Sequence, residues 1–140
     1  HHGKNVIYCS DRKEEKTHGD KGKFLGGNIS NKKVVIVDDV MTTGETKIIA
    51  IEKIKRNFEN VDIKGVFIAV DREEKWKTDL ASREFEKETG IHVYAVTNIS
   101  DVFGYLHNRS IGGKTPVNDK VYSMYKEYKS NYGMQGVTNK

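Results

Sequence analysis

The stretch Val34-Val35-Ile36-Val37-Asp38-Asp39-Val40-Met41-Thr42-Thr43-Gly44-Glu45-Thr46 constrains this chain more than any other. Four consecutive β-branched apolar residues read as a strand buried on both faces, as parallel sheets require. Two carboxylates follow at its carboxyl end, the edge at which open α/β sheets hold ligands. The turn Thr42-Thr43-Gly44 then leads into a helical pattern opening near Glu45. Backbone N–H groups of such a turn, together with a helix N-terminus, make a concavity for a phosphate. Adjacent carboxylates suit sugar hydroxyls or a phosphate-bound Mg²⁺. Taken alone, Asp-Asp could simply close a strand and Thr-Thr-Gly simply turn. The whole arrangement favours a phosphorylated sugar. It is not a Walker loop, because no Gly-Lys-Ser/Thr follows the glycine.

The rest of the chain alternates strand and helix patterns. A short apolar run, 5–9, reads as a strand, and 10–27 as a polar, glycine-dotted loop with no apolar period, of the kind that is usually functional when long. After the anchor strand, Ile48, Ile51, Ile54 and Phe58 recur at helical spacing over about 45–58. Strands are expected at 64–70 and 91–96. Between them 78–89 reads as a helix with Leu80 and Phe85 inward and Gly90 closing it. Ser100 or Asp101 can cap a short helix carrying Val102, Phe103 and Leu106. Thr115-Pro116 offers an N-cap and first-turn proline for a last helix, on which Val121, Tyr125, Tyr128 and Tyr132 share a face suited to the core or a subunit interface. This order predicts an α/β domain with a mainly parallel sheet flanked by helices.

At 140 residues the chain is long enough for one domain with its own core. No apolar run approaches the roughly 18 residues of a membrane span. The single cysteine, Cys9, excludes an internal disulfide, reads as a strand residue rather than a nucleophile, and suits a reducing, cytoplasmic compartment. The net charge of +4 is spread along the chain, which argues against a nucleic-acid partner. His1-His2-Gly3 looks like the remnant of a polyhistidine tag, leaving 4–140 as the domain.

The anchor stretch resembles the phosphoribosyl-pyrophosphate (PRPP) motif of type I phosphoribosyltransferases: an apolar strand, two acids, then a Thr/Gly-rich phosphate loop. Upstream, Arg12-Lys13-Glu14-Glu15-Lys16-Thr17-His18-Gly19 is similar to the Arg-Lys-x-x-Lys-x-His-Gly catalytic loop of orotate phosphoribosyltransferases. From Asp11 to Lys23 five basic residues face four acidic ones, so order rather than charge carries this likeness. Asp71-Arg72-Glu73 looks like the Asp-Arg-x-Glu of the same enzymes, and the Tyr-Lys-x-x-Tyr-Gly ending at Gly133 like their C-terminal helix. The resemblance runs from about residue 5 to 133.

It implies a Rossmann-like type I phosphoribosyltransferase core and transfer of ribose 5-phosphate from PRPP to orotate, with Mg²⁺ arriving on PRPP rather than on a dedicated ligand set. By the family pattern Asp38 and Asp39 hold the ribose hydroxyls. Thr42, Thr43, Gly44 and Thr46, within a motif that includes Val40, Met41 and Glu45, wrap the 5′-phosphate. Arg12, Lys13, Lys16 and His18 reach the pyrophosphate. Arg72, with Thr42, receives orotate. Lys13, Lys16, His18, Asp38 and Asp39 are then the catalytic set, and a homodimer sharing the loop across its interface is implied. Related readings are a purine-using enzyme of the same type and a non-catalytic PRPP-binding regulator.

Two departures stand out. Glu45 occupies a place where the family has a small or hydroxyl residue, so its carboxylate is expected to point to solvent at the helix N-terminus. Nothing matches the family's N-terminal segment, which hoods the base, so this chain alone is expected to keep the fold core and to be impaired in catalysis. Trp76 is expected to be a partly exposed packing residue, Glu73 and Glu74 solvated or ion-paired, and His92 and His107 ordinary polar positions.

Overall fold

The computed structural model describes residues 3, 5–16 and 22–134, and for 12–16, 22 and 23 the backbone alone. The elements run β1 (Cys9–Lys16), β2 (Gly22–Gly26), β3 (Lys33–Met41), α1 (Glu45–Asn57), β4 (Asp62–Asp71), β5 (Lys75–Trp76), β6 (Asp79–Leu80), α2 (Ala81–Thr89), β7 (Val93–Asn98), α3 (Ile99–Leu106) and α4 (Asp119–Tyr132). β3, β4 and β7 form a parallel sheet in that order. Met41 lies level with Asp71, and Asp71 with Asn98, so all three strands end on one edge. The expected α/β architecture with a parallel sheet is the observed one.

Both crossovers step the same way across this sheet, and right-handed connections then place α1 and α2 on the same face. The core forms there: Met41, Ile51, Val66, Ile68, Ala81 and Phe85 are buried together, with Ile36, Ile48 and Trp76 packed against them. The opposite face is open among the described residues. Val35 is 51% exposed, Val37 75% and Val96 87%, and Phe67 stacks on Tyr94 at 4.7 Å over the same surface. The expectation that the anchor strand is buried on both faces is therefore corrected: its β-branched run has a helix layer on one side only.

Four boundaries also differ from the sequence reading. Where 10–27 is described it forms strands rather than the expected loop: β1 and β2 pair antiparallel, with Asp11 opposite Phe24, while 5–8 is irregular. This two-stranded ribbon carries no apolar alternation in its sequence. It is tied to α1 by the Asp11–Lys53 ion pair (2.7 Å) and by Phe24 edge-on to Phe58 at 5.0 Å. The helix expected from residue 78 begins at Ala81, because Lys75–Trp76 and Asp79–Leu80 pair as a small hairpin turning through Lys77 at φ 56°. Asn98, not Ser100 or Asp101, caps α3, its side chain accepting from the Asp101 N–H at 2.8 Å. Asn118 rather than Thr115 caps α4, accepting from the Val121 N–H at 3.0 Å, while Val117 just before it is buried.

The one-sided core makes unequal demands on the two faces. Phe85→Ala is expected to lower unfolding free energy by ~3–5 kcal/mol, whereas Val96→Ser, already in water, should change it by less than ~0.5 kcal/mol. Urea unfolding of both variants checks this, and comparable losses would contradict it.

Candidate active site

The end of β3 is held by a residue that the motif does not name. Lys47 lies in the first turn of α1 and is 6% exposed. Its Nζ donates to the Val40 carbonyl at 2.7 Å and pairs with Asp38 Oδ2 at 2.8 Å. A buried ammonium is tolerated only when its charge is balanced and its donors find acceptors, and these two oxygens balance the charge and take two of its three donors. The sequence did carry a signal: Lys47 stands four residues before Ile51 and seven before Ile54, on the apolar stripe of the helix.

The two acids of the pair are consequently unequal. Asp38 Oδ1 accepts the Asp39 N–H at 2.9 Å. Burial alone would raise the Asp38 carboxyl, but the hydrogen bonds from Lys47 and the Asp39 N–H, with the Lys47 charge, outweigh it and hold the group below its ordinary value. Asp39 is exposed and accepts only the Val40 N–H, at 2.7 Å, among the described residues. One acid is fixed and charge-balanced while the other keeps an oxygen turned to solvent.

Beyond the acids, Met41 is fully buried and its side chain belongs to the core, so only its backbone is available to a ligand. Thr42 and Thr43 are half-buried, while Glu45 and Thr46 are exposed; the expected outward Glu45 is observed. α1 starts at Gly44 without a side-chain cap, which leaves its first N–H groups facing the turn as a site for anionic oxygens. Gly44 is required by contact: a Cβ there would come within 2.4 Å of the Trp76 ring. Trp76 is the partly exposed packing residue expected, and it forms the floor of this turn.

Arg72 follows the end of β4, beside this turn. Its Nη2 pairs with Glu74 Oε1 at 2.9 Å, its guanidinium lies 5.3 Å from the centre of the Tyr128 ring, and its side chain remains 36% exposed. The Tyr128 hydroxyl donates to the same Glu74 oxygen. Burial, then Glu74, pushes that hydroxyl up to about 12, so it remains a donor throughout the physiological range. Glu73 is ion-paired, one of the two expected states, and is buried at φ 52°, its carboxylate meeting Lys129 and Ser100. The backbone of Arg12, Lys13 and Lys16 lies in β1, their side chains are outside the described residues, and His18 lies outside them altogether. Cys9 is a free thiol raised by burial and then by Asp11, which suits a structural residue. No cluster of three or more metal-ligating side chains occurs among the described residues, and no helix among them is long and apolar enough to cross a membrane.

An acid pair, an open helix start and a guanidinium, gathered at the carboxyl edge of a parallel α/β sheet, define a type I phosphoribosyltransferase core. Comparison with known proteins agrees. The chain belongs to the PRTase-CE family, whose model matches residues 3–140. It is 37% identical over 136 residues to an orotate phosphoribosyltransferase of Clostridium acetobutylicum, covering 96% of this chain and 60% of that protein. A Colwellia psychrerythraea protein of the same name is 36% identical over 137 residues, with 96% and 61% covered. The crystal structure of Francisella tularensis orotate phosphoribosyltransferase superposes with a TM-score of 0.63 at 32% identity, over 92% of this chain and 54% of that one. The chain spans about three fifths of the length of the curated relatives it matches.

The Lys47–Asp38 pair sets a pH dependence. A carboxyl held below its ordinary 3.8 stabilises the fold above that value and loses its contribution as pH falls through the folded one. Asp38→Asn should therefore melt below wild type at neutral pH, the gap closing in acid beneath the ordinary carboxylate value. Thermal melts across a pH series check this; a gap independent of pH would contradict it.

Proposed function

We propose that this chain carries the PRPP-binding core of an orotate phosphoribosyltransferase, acting in de novo UMP synthesis. In that reaction a ring nitrogen of orotate bonds to the anomeric carbon of PRPP and gives up its N–H proton while the carbon–oxygen bond to pyrophosphate breaks, the electron pair leaving with pyrophosphate, whose oxygens can take up that proton. The observation that carries the reading is the unequal acid pair beside an uncapped helix start, with Arg72 at the end of the neighbouring strand. The transition state is a ribosyl cation with negative charge growing on the leaving group, so the protein acts by placement and charge rather than by covalent attack. Asp39, with Asp38 fixed beside it by Lys47, accepts the ribose hydroxyls. Thr42, Thr43, Gly44 and Thr46 surround the 5′-phosphate. Arg72 offers its free N–H groups to the orotate carboxylate, a planar two-pronged contact suited to guanidinium.

Arg12, Lys13, Lys16 and His18 serve the pyrophosphate, and His18 or Lys16 neutralises or protonates the departing oxygens. Closure of their loop excludes water from PRPP. Carboxylates suit a hard cation, and with no three-ligand cluster among the described residues Mg²⁺ would come bound to the diphosphate, screening its charge. The enzyme would be a cytoplasmic homodimer, each loop serving the neighbouring site.

The test is pyrophosphate release from PRPP and Mg²⁺ with orotate, hypoxanthine, guanine or uracil, on this chain and on one extended to the relatives' length. Orotate alone should support turnover, and Asp38→Asn with Asp39→Asn should lower it by on the order of a hundredfold. Turnover with a purine would place the chain in a different transferase, and PRPP binding without turnover of any base would make it a regulator. Loop sharing predicts that a Lys13→Ala Lys16→Ala chain mixed with an Asp38→Ala Asp39→Ala chain regains activity; no recovery would argue for loops acting within their own subunit.

A further inference from the structure

The C-terminal motif Tyr-Lys-x-x-Tyr-Gly has no part in the chemistry above, yet three of its members converge on the segment that carries Arg72. The Tyr128 hydroxyl donates to Glu74, the residue that pairs with Arg72, and the Tyr128 ring lies under the guanidinium. Lys129 Nζ reaches Glu73 Oε2 at 3.3 Å and Ser100 Oγ at 2.8 Å. Gly133 forms an antiparallel bridge with Glu74; a Cβ there would fall 2.7 Å from the Lys129 carbonyl.

The same segment is fastened from the other side. Asp71 accepts the Glu73 N–H at 2.9 Å and the Ser82 hydroxyl at 2.7 Å, and the Glu74 carbonyl accepts the Ala81 N–H at 2.9 Å. Glu73 sits in a left-handed conformation that non-glycine residues hold only when their surroundings impose it. Here its buried carboxylate is met by Lys129 and Ser100, and the Ser100 hydroxyl also accepts from Tyr125 at 2.9 Å. The turn 71–74 therefore depends on α4 for its shape, and Arg72 depends on that turn for its direction.

We propose that Tyr128 and Lys129 are positioning residues of the acceptor half of the site, making α4 the support that aims Arg72 at the incoming base. This rests on the orotate reading of Arg72. Glu74 neutralises one edge of the guanidinium and Tyr128 restrains Glu74, so the opposite edge is presented in a fixed direction. Losing the phenol frees Glu74 and lets Arg72 swing with it. The PRPP half, built on β3 and α1, shares none of these contacts.

Tyr128→Phe keeps the ring and removes one hydroxyl. Steady-state kinetics should show the KM for orotate rising about tenfold while the KM for PRPP stays within about twofold. Lys129→Met should shift the two constants in the same unequal way and Lys129→Arg should restore them. Because Lys129→Met also strands a buried carboxylate and lowers stability, Tyr128→Phe carries the decision. A base-independent reading comes from the Arg72 Nε–H resonance of ¹⁵N-labelled protein, which should exchange with water faster in Tyr128→Phe than in wild type. Equal rises in both KM values, no rise in either, or an unchanged Arg72 resonance would each overturn the proposal. If wild type turns over no orotate, the proposed function fails, and the Arg72 resonance still decides whether α4 positions this side chain.

Discussion

Right-handed crossover between neighbouring parallel strands is the constraint on which the rest of this structure depends. It sends β3, β4 and β7 the same way, so their carboxyl ends share one edge and the residues following each strand meet there. Met41, Asp71 and Asn98 come from positions far apart in the chain and lie level across the three strands for this reason. The same handedness stacks α1 and α2 on one face. It thereby leaves Val37 and Val96 exposed on the other, a surface of side chains with high strand propensity and no helix over it among the described residues.

Charge at that edge is arranged in matched pairs. Asp38 faces Lys47, Glu74 faces Arg72, and Glu73 faces Lys129. Asp71 is occupied by a backbone N–H and a serine hydroxyl. Against this background Asp39 stands apart, with a single backbone hydrogen bond among the described residues and an exposed carboxylate. Pairing so many acids lowers the net negative charge of the edge, and among the described residues it leaves the Asp39 carboxylate and the half-exposed Arg72 guanidinium turned to solvent.

Much of this was legible in the residues. The run from Val34 to Gly44 specified a strand, an acid pair and a turn into a helix, because each signal is local: β-branched residues, carboxylates at a strand end, a glycine before a helical stripe. The ends of other elements were not legible, since chemically competent caps compete. Thr115 and Asn118 can both start a helix, and burial of Val117 together with the hydrogen bond from the Asn108 N–H to the Val117 carbonyl (2.7 Å) selects the later one. The ribbon of β1 and β2 went unread because residues 10–27 carry no apolar period to detect.

Sequence alone determined the α/β order and the strand edge at which the acid pair and the turn into a helix lie, because strand, turn and helix signals act over a few neighbouring positions. Tertiary structure decided what those residues do to one another. It set Lys47 beneath Asp38, Trp76 beneath Gly44, and Tyr128 and Lys129 behind Arg72, contacts spanning up to 56 residues. Pairings at such separations come from how helices land on a sheet, and no local pattern of side chains encodes that landing.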